Sequence, residues 1–270
     1  MEYSKMEANE LELELYERGE SYYKSNRFWE AVFLSFSPLA EMGHADAQNY
    51  LAHCYFHGEG LQKDKQKSFY WREKAAEQGH IKAQAITAYC CYVGDGTDKN
   101  LEKAAYWYEK AALQGDALSQ YNLALAYEKG EGVEADLEKA FNWLERAAEQ
   151  GEQAAQVYLA HYYENGIGVD KNTEKALELL EIAAKEGRAD IQFNLAYRYF
   201  FGDGAEENLP KALFWCEESA QSGYAAAQSL LAHCLENGIG IEKDIPRAAL
   251  LYDEAAKQGY EKNPIQTNEN

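Results

Sequence analysis

The feature that most constrains this chain is a short word that returns at a fixed interval. A glycine followed five residues later by a glutamine, as in Gly79-His80-Ile81-Lys82-Ala83-Gln84, recurs in steps of 36 residues. The glycines are Gly43, Gly79, Gly115, Gly151, Gly187, Gly223 and Gly259, and the glutamines are Gln48, Gln84, Gln120, Gln156, Gln192 and Gln228. A second pair of glycines, starting with Gly58/Gly60 and Gly94/Gly96 and continuing to Gly238/Gly240, keeps the same step. A period of this size marks a repeat array, in which each unit buries its apolar face against its neighbours.

Six full units run 43-78, 79-114, 115-150, 151-186, 187-222 and 223-258, and one description covers them as helix-loop-helix. In the first helix Ala47, Leu51, Ala52 and Tyr55 stand at helical spacing, and the same columns hold Leu123, Ala124 and Tyr127, then Leu195, Ala196 and Tyr199. Gly58 and its copies suit the left-handed position that ends a helix, and the glycine two residues later keeps the turn permissive. The column Asp64, Asn100, Asp136, Asn172, Asn208 and Asp244 predicts N-caps for the second helix. Pro210 and Pro246 fall in that helix's first turn, where a missing N–H is harmless. The second helix carries Ala104, Trp107 and Ala111-Ala112, echoed by Ala140, Trp143 and Ala147-Ala148.

Residues 1-42 lack the word but keep a helical pattern; Gly19, Tyr22 and Ala31 have the spacing of a tetratricopeptide motif, so this segment reads as a divergent helical hairpin that caps the array. Pro38 is expected to kink its second helix or end it early. Residues 259-270 form a polar tail too short for another repeat, which leaves Leu250, Leu251 and Tyr252 as apolar surface at that end.

The pattern Gly-x-Gly-[apolar]-x-x-[Asp/Asn]-x-x-Lys-Ala-x-x-Trp-Tyr-x-x-Ala-Ala-x-x-Gly resembles the Sel-one-like repeat, a relative of the tetratricopeptide repeat. Leu101-Glu102-Lys103-Ala104-Ala105-Tyr106-Trp107-Tyr108-Glu109-Lys110-Ala111-Ala112 matches it closely, while Leu179 and Leu251 replace the tryptophan and Leu51-Ala52 replaces the usual Leu-Gly. The resemblance implies an all-α fold, a right-handed α-solenoid superhelix whose first helices line a concave face, and a role in assembling protein complexes.

With first helices facing inward, the candidate partner-binding residues are His53, Tyr89, Tyr92, Tyr121, His161, Phe193, Tyr197, Phe200 and His233. Large amphipathic side chains with few rotamers to freeze suit an extended peptide or a partner helix. The competing reading is that these rings only pack between repeats. The formal charge of −20 argues against nucleic acid and makes a basic protein the more plausible partner. It also motivates an alternative function, an acidic inhibitor or immunity-type protein that neutralises a basic toxin or enzyme.

No catalytic role is expected. The histidine column is spaced by whole repeats, the glycine pairs are helix stops, and no nucleophile, metal or phosphate motif appears, so neither a metal nor a cofactor is implied. The five cysteines, Cys54, Cys90, Cys91, Cys216 and Cys234, read as reduced packing residues, because no second cysteine column stands opposite the first. The acidic start of the chain and the lack of a long apolar run point to a cytoplasmic protein without a membrane segment, a monomer being favoured over a homo-oligomer.

Overall fold

A computed structural model describes the backbone of residues 2–260 and the side chains of residues 10–260. Residues 261–270, most of the polar tail, lie outside the described residues, as do the side chains of the acidic start. All regular elements of the described residues are helices, with no strand among them. They form two compact units, Met1–Gln150 and Gly151–Asn270, each considered by itself below. The fold is an all-α solenoid of repeated helix pairs.

The first unit opens with α1 (Glu2–Lys24), packed on α2 (Phe28–Ala31) and α3 (Ser37–Glu41), which a single π-helical stretch, Val32–Phe36, joins. Three helix pairs follow: α4 (Ala45–His57) with α5 (Lys65–Glu77), α6 (Ile81–Val93) with α7 (Leu101–Leu113), and α8 (Ala117–Lys129) with α9 (Leu137–Glu149). The second unit holds α10 (Gln153–Asn165) with α11 (Thr173–Ala184), α12 (Ala189–Phe201) with α13 (Leu209–Gln221), and α14 (Ala225–Asn237) with α15 (Ile245–Lys257).

Pro38 does not end its helix. It sits in the first turn of α3, which continues to Glu41, and the widened turn just before it absorbs the missing N–H. Gly19 lets α1 approach this segment, since a Cβ there would stand 2.7 Å from Phe36 Cε1.

Every second helix is capped as its sequence predicts. Asp64, Asn100, Asp136, Asn172, Asn208 and Asp244 each accept from the backbone N–H three residues on, at 2.9–3.1 Å. Every first helix ends on a left-handed glycine, from Gly58 (φ +80°) to Gly238 (φ +74°). The glycine two residues later does more than keep the turn permissive. A Cβ on Gly96 would lie 2.2 Å from the carbonyl oxygen of Lys65, and one on Gly132 would lie 2.1 Å from that of Leu101. The loop of each of these repeats therefore rests on the first residue of the preceding repeat's second helix.

The glutamine of the repeated word is buried and ties repeats together. Gln120 Nε2 donates to the Ala112 carbonyl at 3.0 Å, closing the junction onto the preceding helix, while its Oε1 accepts from Gln150 Nε2 at 2.7 Å. Gln48 and Gln84 repeat both contacts, accepting from Gln78 and Gln114. The ladder is interrupted at Glu186 and at Ser222, which stand where those partners stand; opposite Ser222 the buried Oε1 of Gln192 is left without a hydrogen bond, and Gln258 resumes the ladder with Gln228. Ser222→Gln is expected to stabilise the chain by about 1 kcal/mol, the value of one restored hydrogen bond. Urea denaturation beside Ser222→Ala, which restores nothing, checks this.

The five cysteines are free and buried, and burial pushes the thiols of Cys54 and Cys234 up to about 12 and about 11. Leu250 is exposed at the end of the array, whereas Leu251 and Tyr252 are half-buried.

Candidate functional site

The outward face of the first helices is built by what their inner face buries. Ala155, Leu159, Ala160 and Tyr163 of α10 and Ile191, Leu195, Ala196 and Tyr199 of α12 are buried, so the positions between them turn outward. On α12 these are Phe193, Tyr197 and Phe201. The Tyr197 ring lies 4.4 Å from Phe201 and 6.4 Å from Phe193, and Phe193 lies 5.4 Å from Tyr224 at the start of α14. The Phe200 ring lies 4.9 Å from that of Phe201, tilted against it by 58°, and is half-buried. Tyr197 nevertheless keeps 45% of its surface open. Tyr224 and Phe201 complete a cluster of which the expected residues formed only part; Tyr224 stands just before α14, outside the helical columns.

Beside this cluster α10 and α12 enclose a cleft of about 250 Å³, lined by His161, Glu164, Asp190, Asn194 and Arg198 among others. Arg198 donates to both carboxylate oxygens of Glu164, at 2.5 and 3.1 Å, and through Nε to Asn194 Oδ1 at 2.7 Å. The hydrogen bonds from Arg198 hold the Glu164 carboxyl below its usual range, and Arg188 does the same for Asp190. Arg198 stands in a column that is otherwise Cys54, Cys90, Ala126, Tyr162 and Cys234. That departure was the available signal for this ion pair. His161 is exposed at the cleft and contacts its neighbour Asn165, while His233, half-buried on α14, makes the same contact with Asn237.

In the first unit the expected residues are dispersed in their surroundings. Tyr89 is 55% exposed on α6. Tyr121 is half-buried on α8, and Tyr92 packs against the core beneath α6, with Lys99 Nζ 5.4 Å from its ring centre. His53 lies 4.3 Å from the His57 ring and 5.9 Å from Tyr23, and burial followed by His57 keeps its pKa below the usual value. Among the described residues no group of three or more His, Cys, Asp or Glu is placed to hold a metal ion, and no helix is long and apolar enough to cross a membrane.

Comparison with known proteins gives a consistent picture. The family model of the Sel1 repeat matches residues 45–80, 81–116, 117–152, 153–187, 189–224 and 225–260. Among solved structures, a protective antigen present in uropathogenic Escherichia coli strains and displaying an SLR fold is similar, at 31% identity and a TM-score of 0.82. That match covers 93% of this chain and 55% of the other, so the chain spans about half of that relative's length. A Sel1 repeat protein from Oxalobacter formigenes is similar at 30% identity and a TM-score of 0.73, covering 89% of this chain and 96% of that one. No curated protein matches the chain. Proteins built from Sel1 repeats are typically protein-interaction scaffolds. Six matched repeats spanning most of its length establish that the chain belongs to the Sel1 repeat family.

Proposed function

We propose that this protein is a non-enzymatic scaffold that binds a protein segment, an extended peptide or a partner helix, on the outward face of its first helices. The observation that carries this reading is the ring cluster of Phe193, Tyr197, Phe201 and Tyr224, held within 4.4–6.4 Å contacts and yet partly open to solvent. Rings already fixed by one another lose little conformational freedom on binding and bring large contact area, which is the composition of binding hot spots. The ligand is basic in this reading, because 46 acidic residues face 26 basic ones. The protein acts in the cytoplasm as a monomer.

A photo-crosslinking residue at Tyr197, compared with one at the exposed Phe214 on α13, tests the reading. Tyr197 is expected to capture a discrete protein that Phe214 does not; equal capture at both positions would remove the first-helix face from consideration.

The charge supports a second reading, that the bound protein is a basic toxin or enzyme and that binding neutralises it. Its affinity should then fall at least tenfold between 50 and 300 mM salt, since exposed charges are screened within about 10 Å at 0.1 M. An affinity independent of salt would exclude it.

A further inference from the structure

The crevice between the second and third helix pairs contains a cavity of about 170 Å³ that the chain's own pattern does not require. Its walls are Leu101, Ala105 and Tyr108 of α7 with Leu125 and Ala126 of α8, and Tyr92 of α6 closes one side. Two small residues create it. Ala105 stands in a column that holds Phe69, Phe141, Leu177, Leu213 and Ala249 in other repeats, and Ala126 in one that holds Cys54, Cys90, Tyr162, Arg198 and Cys234. The phenylalanine or leucine that the first column carries in four repeats, or the tyrosine that the second carries at Tyr162, would fill this space. The walls are fixed as well, because Gly132 seats the following loop directly on the Leu101 carbonyl.

An apolar cavity of about 150 Å³ is large enough to hold a benzene ring. This one is lined by two tyrosine rings and by leucine and alanine side chains, with Asn122, Lys129 and Glu131 as its polar members. We propose that it is a socket for one phenyl ring of the bound segment, supplied by a phenylalanine side chain. The proposal rests on the reading that the first-helix face binds a protein segment, since Tyr92, Leu125 and Lys129 belong to the outward columns of those helices. Edge contacts with Tyr92 and Tyr108 favour an aromatic ring over a branched aliphatic chain. The ring also leaves no polar atom to be stranded among these walls.

Full-length protein titrated with N-acetyl-phenylalaninamide and followed by methyl resonances tests this. Saturable shifts at the methyls of Ala105, Leu125 and Ala126 are expected, with N-acetyl-lysinamide giving none. Ala105→Phe fills the space with the residue this column already uses, so the variant should keep its helicity and melting temperature while the shifts weaken at least tenfold. Absence of saturable shifts at those methyls, or shifts that persist in Ala105→Phe, would overturn the socket. If Ala105→Phe unfolds, Ala126→Cys, the residue at the equivalent Cys90, serves as the second variant and is read in the same way. Crosslinking from Tyr197 reports on the other unit, so loss of the socket and loss of the binding face are distinguishable.

Discussion

Gly132→Ala is expected to destabilise the protein by about 4 kcal/mol, among the largest effects of any single methyl group added to this chain. Two costs combine. An alanine held at φ +78° is in a region that side chains rarely occupy, at about 1–3 kcal/mol. Its Cβ would also stand 2.1 Å from the Leu101 carbonyl oxygen and 2.7 Å from the Glu102 nitrogen, both backbone, so a helix would have to move, at about 1–3 kcal/mol more. Gly115→Ala separates the two. Gly115 has φ +95° with nothing within 4 Å of a built Cβ, and should cost only the backbone share. Denaturant titration of both variants gives the difference. Equal losses would mean that the loop does not rest on α7 as described.

The second large effect has the opposite sign. Arg72→Met is expected to stabilise the protein by about 2 kcal/mol. Arg72 is only 4% exposed, its Nε has no hydrogen-bond partner, and its guanidinium faces the Cys90 thiol and, at 6.0 Å, the Phe56 ring. The nearby carboxylate of Asp95 is taken by Lys65 at 2.7 Å. Burial lowers the pKa of this arginine, the mark of a charge held where it is poorly solvated. Replacing such a group by an apolar side chain of similar length removes the desolvation penalty and keeps the packing. The same column is apolar at Leu144 and Leu180, both buried. Thermal unfolding of Arg72→Met checks the sign; a loss of stability would show that the charge is compensated.

These two residues also show how far the sequence could be read. Caps and helix ends were legible because each depends on one residue type and its own backbone: Asp136 accepts from Lys139, and Gly130 turns left-handed, whatever lies nearby. The role of Gly132 was not legible, because the carbonyl it approaches belongs to a residue 31 positions earlier. Gln120 announced itself as part of a repeated word, yet its partner Gln150 lies just past the end of the next helix, and only their contact explains why the word ends in glutamine. The widened turn before Pro38 had no sequence mark beyond the proline itself.

The outward columns were legible as positions, but what each side chain meets depends on its neighbours' sizes. Tyr197 meets Phe193 and Phe201 and stays partly open, whereas Tyr92 sinks against the core beside Ala105 and Tyr108. Arg72 and Arg198 were visible as charged residues in columns that are mostly apolar elsewhere, a comparison that flags both sites without saying how either charge is met. Arg198 pairs with Glu164, while Arg72 makes no ion pair among the described residues, the nearby Asp95 being held by Lys65.

The most direct measurement is the affinity of the protein crosslinked at Tyr197 for three forms of the purified chain: unmodified, Tyr197→Glu and Phe214→Glu. Both positions are exposed, so neither change should disturb the core, and circular dichroism should confirm equal helicity. At least a tenfold loss is expected for Tyr197→Glu and an unchanged affinity for Phe214→Glu. Unchanged binding by Tyr197→Glu, or an equal loss in both variants, would contradict binding on the first-helix face.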